Sequence, residues 1–263
     1  MKVAACKYPV GRPADFAAFA DKQRRLLGEA ASLGARVAVL PEYLSLELAA
    51  LFPPAVHAGL RASLAAIQSL RGDWLELFAG IARDTGMYVV AGSFLLAQAG
   101  GRYRNRSDMF APGGGHLRQD KLQLAGSEKS GGVIEGGDAL KVAEIDGVRG
   151  GISVCYDSEF PLPVRAQYEA GARLLLVPSC TDTAAGATRV QVGCLARALE
   201  NRLFVVQAVT AGRAPWSPAL DENTGEATVF ARMDAGFPDD GILARTRSDE
   251  AWHKLANEAR AEI

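Results

Sequence analysis

Two short phrases, GARVAVLPE at residues 34–42 and GARLLLVPS at residues 171–179, constrain this chain more than anything else in it. Each follows a stretch with helical spacing of apolar residues and opens on a glycine, the residue that most readily closes a helix C-terminus. Each then runs as an apolar strand with no polar alternation. Such a strand must be covered on both faces, as in a sheet flanked by further layers. Each ends in proline and a polar residue. Two related helix–strand units in a layered α/β protein satisfy this pattern, and ligands of such folds gather beyond the strand carboxyl ends.

The rest of the chain alternates in the same way. Strands are expected at residues 2–6, 36–40, 87–95, 106–111, 140–145, 148–155, 173–177, 203–209, 227–232 and 241–244. Helical periodicity covers residues 14–33, 60–85 with an interruption near Arg71-Gly72-Asp73, 163–170 and 187–201, with a closing helix from Asp249. Residues 112–116 read as a glycine-rich hairpin tip, and Asp146-Gly147 as the turn of a second hairpin. At 263 residues with 49% hydrophobic side chains, the chain can bury a sizeable core as one domain.

Several functions are disfavoured at once. A net charge of −1 offers no footprint for nucleic acid or an anionic membrane. No apolar stretch approaches the length of a membrane span. The opening MKVAACKYPVGRP is too short and polar for a secretory signal. The expectation is a cytoplasmic protein without membrane or nucleic-acid partners. No GxGxxG, GxxxxGK[ST] or GxSxG occurs, so nucleotide binding and a serine elbow have no support. The four cysteines (Cys6, Cys155, Cys180 and Cys194) show no metal-ligand spacing, and no metal or organic cofactor is expected.

Cys155 stands out among the four. In GGISVCYDSEFP (residues 150–161) it falls where an apolar strand gives way to a polar turn, within reach of a small molecule. A thiol with a pKa near 8.5 needs a base or a neighbouring cation to become a nucleophile. The histidines His57, His116 and His253 do not end buried strands and read as surface residues. The alternatives are Glu42, which follows VAVLP, and Lys121 in RQDKLQL. A carboxylate at the edge of a buried sheet is partly desolvated and gains basicity. An ammonium beside the thiol can stabilise an oxyanion. Each alone is also consistent with an ordinary surface charge.

Taken in order, these segments resemble the nitrilase superfamily of carbon–nitrogen hydrolases over about residues 3–244. VAVLPE carries the family's glutamate at Glu42, GGGHLRQDKLQL its lysine at Lys121, and GGISVCYDSEFP its cysteine at Cys155. Glu128 in AGSEKS matches a further family glutamate. LVPSCTDT and ARALEN are also similar to family wording. Many members carry a histidine two residues after the lysine, where this chain has Gln123.

The resemblance implies an α-β-β-α sandwich of two mixed sheets with helices outside. It implies a homodimer or higher homo-oligomer, with the terminal strand and helix contributing. It also implies hydrolysis of a small linear amide through a Cys155 thioester. Glu42 is then the base, Lys121 and the Tyr156 backbone N–H the oxyanion donors, and Glu128 the residue holding Lys121. A nitrile or N-carbamoyl substrate, acyl transfer to an amine, and a redox-active thiol remain open. Around the site, Cys180 lines the pocket or is a passive thiol, and Trp216 walls the pocket or packs. Arg197, Glu200 and Asn201 read as structural. Arg189, expected in the first turn of the helix at residues 187–201, is explained by a nearby anion. That anion is either Asp182 or a carboxylate at the far end of the substrate.

Overall fold

The two apolar phrases supply the central strand of two parallel triples, one in each of two facing sheets. The computed structural model describes residues 1–247. In chain order the strands are β1 (Val3–Ala5), β2 (Lys7–Pro9), β3 (Val37–Val39), β4 (Tyr88–Ala97), β5 (Tyr103–Phe110), β6 (His116–Asp120) and β7 (Ile134–Glu135). They continue as β8 (Val142–Ile145), β9 (Val148–Ile152), β10 (Leu174–Ser179), β11 (Phe204–Arg213), β12 (Glu222–Asn223), β13 (Thr228–Phe230) and β14 (Ile242–Arg245). The helices are α1 (Phe16–Ser32), α2 (Pro54–His57), α3 (Leu60–Ile67), α4 (Arg71–Thr85), α5 (Gly126–Gly131), α6 (Pro161–Glu169) and α7 (Ala184–Asn201).

One sheet is ordered β1-β3-β4-β5-β6 with β7 beside β5, and the other β14-β13-β11-β10-β9-β8 with β2 and β12 also on β11. β3 lies parallel between β1 and β4. β10 lies parallel between β9 and β11. Both central strands are buried along their whole length. The glycines before them, Gly34 and Gly171, have φ of +80° and +96°, the left-handed turn that ends each preceding helix.

Side-chain alternation assigns the layers. Val37 and Val39 pack in one cluster with Leu175, Val177 and Val206 of the second sheet. Ala38, pointing the other way, packs with Phe19 and Leu27 of α1 and with Trp74 and Phe78 of α4. Beyond the second sheet lie Val164 of α6 and Val190 and Cys194 of α7. The result is an α-β-β-α sandwich, as expected. Each fully buried Val or Leu in these layers contributes about 1.5–3 kcal/mol of transfer free energy.

Some boundaries differ from the sequence pattern. The strand expected at residues 2–6 is two strands in different sheets, joined at Cys6. The Cys6 N–H donates to Val39 O at 3.1 Å, and its carbonyl accepts from Val209 N at 2.9 Å, so one residue bridges the sheets. The break in the long helical stretch falls at Gln68–Leu70, not at Arg71-Gly72-Asp73, which opens α4. Asp73 there is a first-turn carboxylate suited to the helix dipole. α7 begins at Ala184, three residues early, because Thr183 caps it by accepting from Gly186 N at 3.1 Å. Cys155 lies beyond its strand, in a turn. The helix expected from Asp249 lies outside the described residues. Among the described residues no helix is long and apolar enough to cross a membrane.

Candidate functional site

Three chain segments leaving the sheets place the candidate residues. Glu42 follows β3 by three residues. There the chain turns sharply, with Tyr43 at φ +61°. β4 comes close enough that a Cβ on Gly92 would lie 2.0 Å from Pro41 O, so only glycine fits. Lys121 directly follows β6; its N–H donates to Asn105 O at 2.9 Å and its carbonyl accepts from Gly137 N at 2.8 Å. Cys155 opens a single 3-10 turn, Cys155–Glu159, with its own φ at +47°. Ser158 Oγ donates to Cys155 O at 2.7 Å and steadies that turn.

The side chains converge in the interior. Lys121 Nζ stands 2.8 Å from Glu42 Oε1 and 2.8 Å from Glu128 Oε2. Glu42 is 1% exposed and Lys121 2%, which removes the surface-charge reading of both. The Cys155 thiol donates to Cys180 O at 3.6 Å and lies within electrostatic reach of Glu42 and Lys121. The other Glu42 oxygen accepts from Cys180 N at 3.1 Å. Glu128 Oε1 accepts from Tyr43 Oη at 2.7 Å, and Oε2 from Ala125 N at 2.8 Å. Asn105 Nδ2 donates to Glu42 at 2.8 Å and to Glu128 at 3.3 Å.

Charge follows from this packing. Burial raises the Glu42 pKa, and the Lys121 ammonium only partly offsets it, so the carboxylate is a stronger base than a free one. Burial opposes the charge on Lys121, but Glu42 and Glu128 outweigh it and hold the ammonium protonated. Glu128 is the reverse case: burial works against its charge, yet Lys121, Tyr43 and the Ala125 N–H keep it ionised. Burial, reinforced by Glu42, pushes the Cys155 thiol well up, so it rests protonated beside its base.

The cluster opens on a cavity of about 410 Å³ lined by Glu42, Lys121, Glu128, Cys155, Tyr156 and Cys180, among others. Cys180 therefore lines the pocket, with its thiol directed to Asn223 Oδ1 at 3.2 Å. Trp216 does not line it. It packs against the first-sheet core and edge-on to His57, whose Nδ1 lies 3.0 Å from Trp216 O. His57 is accordingly buried, not a surface residue. Arg189 reaches the cavity wall from the second turn of α7, since the helix starts early. The protein anion it meets is Glu159, at 3.5 Å, and not Asp182. Arg197 is structural: it pairs with Glu200 at 2.9 Å and donates to Ser158 O at 3.1 Å.

Three contributors went unread in the sequence. Asn105 is a polar residue at an inward position of β5, between the outward Arg104 and Arg106, and that misplaced polarity was its signal. Asp157 stands two residues after the cysteine. Its carboxylate accepts from Leu122 N at 3.0 Å, Gln123 N at 2.6 Å and Val154 N at 3.2 Å. It thus ties the Lys121 segment to the Cys155 turn. Tyr43 carried no signal, since its contact with Glu128 spans 85 residues.

The chain's likeness to known proteins agrees with this geometry. It is 27% identical over 249 residues to "Probable hydrolase YhcX" of Bacillus subtilis, covering 94% of this chain but 47% of that protein, about half its length. It is 25% identical to "Omega-amidase NIT2-B" of Xenopus laevis, covering 80% of this chain and 74% of that one. It is 28% identical to "Deaminated glutathione amidase" of Mus musculus, covering 81% and 72%. Among solved structures, an amidase from Nesterenkonia sp. superposes with a TM-score of 0.72 over 96% of this chain and 88% of that one, at 23% identity, and shares the fold. The family model for carbon-nitrogen hydrolase matches residues 2–234. A match of that extent settles the family, and this chain belongs to the carbon–nitrogen hydrolases.

Proposed function

We propose that the protein hydrolyses the carbon–nitrogen bond of a small linear amide, with Cys155 as nucleophile, Glu42 as general base and acid, and Lys121 as oxyanion partner. The observation that carries this reading is the buried Glu42–Lys121 pair at 2.8 Å, lining one cavity with the Cys155 thiol and within electrostatic reach of it. A base, a nucleophile and a fixed cation share one water-poor site, where electrostatic stabilisation is strongest.

In the first half-reaction the thiol proton passes to Glu42 as sulfur bonds to the amide carbon. The carbonyl electron pair moves to oxygen, which Lys121 and the Tyr156 backbone N–H receive. The oxyanion collapses, the C–N bond breaks, and the leaving nitrogen takes the proton from Glu42, leaving a Cys155 thioester. In the second half-reaction water gives a proton to Glu42 and its oxygen bonds to the acyl carbon. The C–S bond breaks and the sulfur regains its proton from Glu42. Glu128 and Asn105 position Lys121 and Glu42 throughout. A thiol that rests protonated needs its base in contact, because proton removal accompanies attack.

The redox alternative fares worse. Burial pushes both the Cys155 and Cys180 thiols up, whereas exchange-active thiols have lowered pKa values. Intact-protein mass spectrometry after rapid mixing with amides tests the proposal. An acyl adduct confined to Cys155, and loss of turnover in folded Cys155→Ala, are expected. Turnover by that variant would sink the mechanism.

A further inference from the structure

The cations of the cavity already face carboxylates of the protein, while part of the cavity wall is aliphatic. Among the described residues, the cations lining it are Lys121, held by Glu42 and Glu128 at 2.8 Å each, and Arg189, 3.5 Å from Glu159. Leu46, Leu95 and Ile134 line the same cavity, and all three are buried.

Register places these three beside the catalytic cluster. Leu95 lies directly opposite Asn105 in the antiparallel β4–β5 ladder, and such pairs share a sheet face with Cβ atoms about 4.5–5.5 Å apart. Asn105 Nδ2 donates to Glu42 at 2.8 Å. Ile134 is the register partner of Tyr103 in β5, two residues before Asn105 and so on the same face. Leu46 N donates to Tyr43 O at 2.9 Å, one 3-10 turn after the tyrosine that donates to Glu128, a spacing at which side chains eclipse. An amide whose carbon bonds to Cys155 and whose oxygen meets Lys121 therefore has its acyl group in a cavity that this wall borders.

Resting on the amidase reading above, we propose that the substrate is a short aliphatic amide with an uncharged acyl chain, and that Leu46, Leu95 and Ile134 select it. A methylene placed against this wall leaves water and gains apolar contact. A carboxylate there meets no free cation, is repelled by Glu42 and Glu128, and loses its hydration unpaired. An ammonium loses its hydration against aliphatic carbon. The acidic lining residues Asp182, Asp221 and Glu222 are exposed to solvent, where their pull on it is screened.

The test is kcat/KM for acetamide, propanamide and butanamide, and for analogues as long as butanamide that end in carboxylate or ammonium. In wild type the value should rise about threefold or more per added methylene, the scale of one buried CH2. Butanamide should exceed both charged analogues by about tenfold or more. Leu95→Ala and Ile134→Thr should each flatten the rise to below about twofold per methylene. Ile134 belongs to a two-residue strand paired with β5, so its variant carries the test if the core change Leu95→Ala does not fold. A flat wild-type series, a charged analogue as good as butanamide, or an unchanged rise in the folded variants overturns the inference. If wild type hydrolyses none of these compounds, the amidase reading fails by itself. NMR titration of the unreacting wild type with the same compounds then decides the preference: affinity that rises along the series, with the charged analogues weakest, sustains it, and equal affinities overturn it.

Discussion

Replacing Asp157 by asparagine is a sharp test of how the site is held together. The side chain is 2% exposed, and burial raises its pKa from 3.8 to about 6, against the pull of the backbone N–H groups of Gln123, Leu122 and Val154. A raised folded-state pKa means the folded protein binds this proton more tightly than the unfolded chain does. The resulting stability is complete below pH about 3.8 and is lost as pH rises through about 6. Between pH 4.5 and 7.5 the loss is about 2 kcal/mol. An asparagine at this position cannot titrate, so the variant's stability lacks this component. The variant also faces Val154 N–H with an amide in place of a carboxylate, but that cost is the same at every pH. Urea unfolding of wild type and Asp157→Asn at a series of pH values isolates the difference, because other titrating groups cancel. The stability difference between the two proteins should shift by about 2 kcal/mol from pH 4.5 to 7.5, with wild type losing ground as pH rises. Parallel pH profiles would refute the argument that burial governs this carboxylate.

Other outcomes follow from the same geometry. Lys121→Met removes the ammonium shared by Glu42 and Glu128 and should cut turnover by at least about 10²-fold; a loss under tenfold in a folded variant returns Lys121 to a structural role. The same change leaves two buried carboxylates without their cation and should lower stability by about 3–5 kcal/mol, read from the urea midpoint. Gly92→Ala would set a Cβ 2.0 Å from Pro41 O at a φ of +66°. It should both destabilise the fold and lower kcat by displacing the Glu42 turn, and an alanine variant with native melting and kcat would contradict that packing.

The sequence alone determined the layers of this protein. A strand apolar on both faces, such as LLLVPS, has only one kind of home, a sheet covered on each side, and two such phrases required two sheets or two places in one. It also determined which side chains stand at the strand ends, because proline and the loss of apolar character mark those ends locally. Glu42 and Cys155 were legible for that reason, while Lys121, in a segment where no strand was expected, gained its role only from its order with them in the resemblance that named the family.

Tertiary structure decided everything that depends on register between distant segments. Asn105 reaches Glu42 and Glu128 only because β5 lies between β4 and β6 with that residue turned inward. Asp157 gathers backbone groups from residues 34 and 35 positions earlier in the chain, a contact no local pattern encodes. A start three residues early turned Arg189 from the first turn of α7 to the second and set it 3.5 Å from Glu159, an anion other than the Asp182 its sequence position offered. Of the two places open to Trp216, packing is the one it takes, edge-on to His57, 159 residues away in the chain. Periodicity reports whether a residue is buried, since burial repeats along a strand or helix. Which partner meets it there is set by how the sheets pair and pack, and that is a property of the whole chain.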